Sequence, residues 1–193
     1  MGLDIAILTD KHDQVFDSQF YSDRNAGNDN YSVSRTFCNF MCRQNACEGL
    51  PELDQIGEIT ALDITPFYEM ERYKDENNEE LLYLLETAES EEERQEILQE
   101  CRESNAKVTG NIGKVENLLT RLIDKLSVIE NLPAILDDHG YDTLNSKVYF
   151  AEFNAIATQG YINNNFGQDL RSFKRFVNYA KTKGATTVYF TYG

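Results

Sequence analysis

A mostly α-helical α+β fold is what this sequence predicts, and three observations predict it. The first stretch, Leu3-Asp4-Ile5-Ala6-Ile7-Leu8, is strand-like and apolar. The last, Thr186-Thr187-Val188-Tyr189-Phe190-Thr191-Tyr192, is rich in the β-branched and aromatic residues that fit a pleated surface. Between them apolar residues recur at spacings of three and four, the period of an amphipathic helix. The expected architecture is one domain over residues 1–193. Its small sheet has two to four strands and uses both ends of the chain (about 3–8 and 186–192). Six to eight helices cover that sheet, and an acidic helical hairpin at about 79–131 packs on the body or protrudes from it.

The elements follow in order. Thr9 to Asn30 is polar and reads as a long loop with a strand near 14–21, where Val15-Phe16 and Phe20-Tyr21 lie. Tyr31 to Asn45 reads as a helix with Val33, Phe37, Phe40 and Met41 on one face and Asn30 or Ser32 as cap. Pro51 opens a second helix with Leu53 and Ile56 inward, and Thr65-Pro66 opens a third with Phe67 and Met70 inward. Leu81, Leu82, Leu85 and Ala88 form an apolar stripe; Ser90 with Glu93 makes a capping box for the next helix, with Ile97, Leu98 and Cys101 inward.

Thr109-Gly110-Asn111 marks a break. Val115, Leu119, Leu122, Leu126 and Ile129 then repeat like a coiled-coil seam of about two heptads, too short to stand alone. Pro133 to Asp138 adds a short helix. Residues 147–158 have the content of either a helix or a buried strand, and length favours helix. Gln168 to Lys183 is the clearest helix, apolar along Leu170, Phe173, Phe176, Val177 and Ala180, basic on the other arc, and closed by Gly184.

The formal net charge is −15. From Glu71 to Glu103 there are thirteen carboxylates and four bases, whereas residues 168–184 hold five bases and one acid. Nucleic acid and anionic membranes call for a basic footprint, so neither is an expected partner. No apolar run approaches the ~20 residues of a membrane helix. The start of the chain has no basic region ahead of a secretory core, and Ala6 stands where a myristoylation motif needs Ser or Thr. The expected compartment is the cytoplasm, with reduced thiols.

Three of four cysteines, Cys38, Cys42 and Cys47, fall within ten residues, but their spacing matches no zinc finger. Core packing is the expected role, and neither metal nor cofactor is expected. There is no G-x-S-x-G, no phosphate-binding glycine loop and no dinucleotide fingerprint. The run from Leu53 to Ile64 has the apolar spacing of a helix-turn-helix, but its neighbours Glu52, Asp54, Glu58 and Asp63 are acids, so it reads as packed helices.

Three functional expectations remain. The leading one is a cytoplasmic interaction or regulatory protein, not an enzyme, that offers an acidic helical surface (Glu89, Glu91, Glu92, Glu93 and Glu96) to a basic protein partner. A second is a small enzyme or ligand-binding protein. Its polar site lies where the strand-1 loop (Asp10, His12, Asp13) meets the helix carrying Arg35 or the Asn163–Asn165 loop. His139, beside Asp137 and Asp138, is explained by the dipole at a helix C-terminus. A third is a structural role, as a homo-oligomer joined through the 115–129 seam.

Overall fold

The computed structural model describes residues 4–25, 31–42, 49–75, 78–137, 146–156 and 164–192. The two ends of the chain meet as expected. Strands β1 (Ile5–Thr9) and β2 (Val188–Tyr192) pair antiparallel, with Ile5 opposite Tyr192 and Thr9 opposite Val188. Ile7, Val188 and Phe190 are buried on the core side. The outer edge of β2 is closed at one point by a side chain: Asn111 Nδ2 donates to the Val188 carbonyl at 2.8 Å, and the Val188 amide donates to Asn111 Oδ1 at 2.9 Å. An amide side chain thus takes the place of a third strand at that position.

Ten α-helices are described, against the six to eight expected: α1 (His12–Val15), α2 (Ser18–Asn25), α3 (Arg35–Met41), α4 (Glu52–Thr60), α5 (Thr65–Met70), α6 (Glu79–Thr87), α7 (Glu91–Val108), α8 (Ile112–Leu126), α9 (Ser146–Phe150) and α10 (Phe166–Thr182). The main correction is at 12–25, where two helices replace the expected loop and strand. Asp17 Oδ1 accepts from the Phe20 amide at 2.9 Å, a capping bond that starts α2. Phe16 and Phe20 stack among Phe176, Tyr179 and Tyr31, so aromatic packing from distant segments holds the turn. α3 begins later than expected and is capped by Ser34, whose Oγ accepts from the Phe37 amide. Pro133 lies in a 3₁₀ turn (Leu132–Ala134). The 147–158 region begins as helix α9 and then turns, with Glu152 at φ 49°.

The stretch 79–131 holds three helices of different character. α8 is a core helix: Val115, Leu119, Leu122 and Leu126 are buried among the same apolar cluster as Leu170, Phe173 and Val177 of α10. Each such side chain contributes about 1.5–3 kcal/mol on leaving water. The seam is therefore filled by the chain's own α10, and a second copy would find its main side chains already covered. α6 and α7 are acidic and mostly exposed. Their apolar stripe is shallower than expected: Leu81 is buried, Leu82 is 50% exposed, and Ile97, Leu98 and Cys101 are half-buried. No described helix is long and apolar enough to cross a membrane.

Candidate functional site

The acidic helices are built by short-range caps. Asn78 Oδ1 accepts from the Leu81 amide at 2.9 Å and starts α6. Ser90 Oγ accepts from the Glu93 amide at 3.1 Å and starts α7. The Glu93 carboxylate reaches back to the Glu89 amide at 2.6 Å, one residue before the position a standard capping box uses. Asn105 anchors the other end of α7. Its Nδ2 donates to the Lys74 carbonyl at 2.7 Å, and its Oδ1 accepts from the Lys74 amide at 2.9 Å. α7 is thus tied down at its C-terminal half. Its N-terminal half presents Glu91, Glu92, Glu93 and Glu96, with Glu89 beside them, all exposed. Arg94 lies among them, 3.9 Å from Glu91. Carboxylates in a first helical turn also complement the positive end of the helix dipole, so the cluster supports α7 itself.

A cleft of about 560 Å³ lies between β2 and residues that include Glu71, Tyr73, Lys74, Asp75 and Asn78 to Glu80. Tyr73 and Tyr189 form one wall, their ring centroids 4.3 Å apart. The Tyr189 hydroxyl donates to Asp75 Oδ2 at 2.9 Å, and Lys74 pairs with Glu80 at 3.0 Å. Glu71 and Tyr192 also line the cleft. Among the described residues, the buried atoms Glu71 Oε1 and Tyr192 Oη make no well-formed hydrogen bond, and their two side chains lie against each other. An unsatisfied buried polar group costs about 1–3 kcal/mol. Burial pushes the Glu71 carboxyl above its usual range, opposed by the nearby Tyr192 hydroxyl and by Arg72. Burial, with Glu71 close by, pushes the Tyr192 hydroxyl up. Cys38 is raised to about 12, by burial first and Cys42 second, and Cys42 is raised by burial. These thiols stay protonated at neutral pH and are poor nucleophiles. Cys38 is buried, as core packing requires; Cys42 is exposed; Cys47 lies outside the described residues.

The residues proposed for a polar site near strand 1 are not gathered into one. The Asp10 carboxylate accepts from Thr186 N at 3.0 Å, Thr186 Oγ at 2.7 Å and Thr187 N at 2.9 Å, and so clamps the closed end of the strand pair. Arg35 pairs with Asp4 at 3.3 Å, before the start of β1. Asp4 and Asp10 are separated by the length of the strand, roughly 20 Å at about 3.3 Å per residue. His12 and Asp13 face solvent 3.6 Å apart, with the His12 ring against Phe16. Of the Asn163–Asn165 loop, Asn164 and Asn165 are described and turn inward. Asn165 Oδ1 accepts from the Gln168 amide at 2.7 Å and caps α10. Asn163 and His139 lie outside the described residues.

Sequence reasoning missed a buried carboxylate. Asp169 is fully buried and accepts four hydrogen bonds: Ser34 N at 2.9 Å and Asn164 Nδ2 at 3.0 Å on Oδ1, Ser34 Oγ and Tyr149 Oη at 2.6 Å on Oδ2. From the first turn of α10 it joins the cap of α3, the residue before α10's own cap, and α9. Burial pushes its pKa up, against the pull of these donors. The signal was present: Asp169 shares helical spacing with Phe166, Phe173 and Phe176, so it sits on the apolar arc of α10. Fully enclosed, this network ties elements together and offers a ligand no access. Comparison of the chain with protein families, with curated proteins and with solved structures gave no match.

Proposed function

We propose that this chain is a cytoplasmic interaction or regulatory protein, without catalytic chemistry of its own, that presents the N-terminal half of α7 to a basic protein partner. The observation that carries this reading is the joint exposure of Glu89, Glu91, Glu92, Glu93 and Glu96 on a helix whose other end is anchored. The anchor pre-organises the surface, so a partner meets the charges already in place and loses less entropy on binding. The thiols of Cys38, Cys42 and Cys101 are unpaired, which fits a reducing compartment.

The test is affinity capture from the native host with the wild-type chain and with a variant carrying Glu→Gln at residues 89, 91, 92 and 93. Exposed ion pairs contribute about 0.2–1 kcal/mol each, so the four changes together should weaken binding at least about fourfold and flatten its salt dependence. Loss of basic proteins from the captured set supports the reading. An unchanged set removes the acidic face from the mechanism.

A further inference from the structure

Helix α6 keeps most of its apolar side chains out of the core. It has nine residues. Isolated helices shorter than about 12–15 residues are marginal in water, so burial of one face ordinarily supplies the rest. Here Leu81 is buried, whereas Leu82, Tyr83 and Leu84 are consecutive and exposed, Leu82 at 50% and Tyr83 at 65%. A single exposed leucine needs no explanation, but an adjoining set of apolar side chains marks a contact surface. Residues three and four apart are neighbours on a helix. Leu82 and Tyr83 therefore both sit between Glu79, one turn before them, and Glu86, one turn after. The nearby cations are already engaged. Lys74 pairs with Glu80 at 3.0 Å; Arg94 donates to the Leu85 carbonyl at 2.5 Å and lies 3.9 Å from Glu91. Among the described residues, the carboxylates of Glu79 and Glu86 make no ion pair or hydrogen bond.

We propose that this face of α6 docks an amphipathic basic helix of the partner, whose apolar side chains cover Leu82 and Tyr83 while its lysines or arginines meet Glu79 and Glu86. The pattern of the surface specifies that occupant. Glu79 and Glu86 are two turns apart, about 11 Å along the axis. A helix packed alongside has the same pitch, so cations at its positions i and i+7 and apolar residues at i+3 and i+4 complement the four side chains. A second copy of this chain does not. In a two-fold contact the patch faces itself and sets carboxylates against carboxylates. The inference rests on the reading that the partner is a basic protein. It adds an apolar contact beside the charges of α7: charge attracts the helix, and burial of Leu82 and Tyr83 holds it.

Nuclear magnetic resonance titration of the full ¹⁵N-labelled chain tests it. The probe is an end-capped peptide of three Lys-Ala-Ala-Leu-Leu-Ala-Ala repeats. One control peptide replaces the leucines with alanine, the other the lysines with glutamate. Saturable shifts at the amides of Glu79 to Thr87 are expected with the probe, at least about tenfold weaker binding with the alanine control, and none with the glutamate control. Leu82→Ser with Tyr83→Ser should weaken the probe at least about fivefold. Should that variant fail to fold, Glu79→Gln with Glu86→Gln should weaken it about two- to threefold. Equal binding of the alanine control, shifts confined to α7, no shifts at all, or unchanged affinity in the folded serine variant would overturn the proposal. So would self-association in sedimentation that the serine variant abolishes, because the face would then belong to a second copy.

Affinity capture separates this idea from the one beneath it. If the serine variant keeps the captured set while the α7 variant loses its basic proteins, the basic-partner reading stands and the α6 contact is wrong. If α6 binds the probe while the α7 variant keeps an unchanged captured set, the α7 face is wrong and α6 stands as a docking site for basic helices.

Discussion

Asp169 puts a carboxylate into the most aromatic part of the molecule, and its four donors decide whether the fold tolerates it. Ser34, Tyr149 and Asn164 aim N–H and O–H groups at both of its oxygens. Removing the acceptor strands all of them, so Asp169→Ala should cost about 3–5 kcal/mol, as breaking a buried charged network does. Asp169→Asn should cost less than half of that, because the Ser34 and Tyr149 hydroxyls can rotate and accept from the new amide. Urea unfolding of the two variants checks the order, and equal losses would mean that shape rather than hydrogen bonding holds the site. Asp17 gives the opposite pH behaviour. Its hydrogen bond to Lys183 at 2.6 Å, then the Phe20 amide, hold it well below the usual carboxylate range. A depressed folded pKa means stability that is complete above about pH 4 and is lost as pH falls through the folded value. Wild type and Asp17→Asn should therefore differ most in urea midpoint near neutrality and converge in strong acid. A gap that widens with acid would show that Asp17 is not the group responsible.

At the scale of elements, the first turn of α10 and the residues just after α9 approach each other closely, backbone to backbone. A Cβ at Gly167 would lie 2.0 Å from the Phe153 carbonyl oxygen, a backbone atom that cannot step aside. Gly→Ala in a helix ordinarily gains up to about 1 kcal/mol. Here the overlap should reverse the sign, and Gly167→Ala should destabilise by about 2–3 kcal/mol, measured by thermal or urea unfolding. A neutral or stabilising result would mean that the turn after α9 moves freely. The same turn shows why elements were unequally legible. α8 and α10 are written in local periodicity, and the start of α7 in the Ser90–Glu93 spacing. α1 and α2 are not, because their stability comes from aromatic rings contributed by residues about 160 positions away. Of the apolar stripe Leu81, Leu82, Leu85 and Ala88, only Leu81 finds a buried place.

For the whole molecule, charge of one sign is the dominant feature. A net charge of −15 on 193 residues leaves the folded state working against its own repulsion. Raising salt from about 0.01 M to about 1 M shortens the screening length from about 30 Å to about 3 Å. The urea midpoint should therefore rise with sodium chloride; a fall would mean that ion pairs such as Lys183–Asp17 outweigh the repulsion. That charge, the helical content and the strand character of the two ends were determined by the sequence, because composition and short periodicities act through neighbours in the chain. Only the tertiary structure decided that Asp10 and Arg35 stand apart at the two ends of β1, that the 115–129 seam is spent on α10, and that Glu71 meets Tyr192 across more than a hundred residues. Such meetings depend on how helices pack, and packing is chosen by the burial of the whole core, so no local pattern records it.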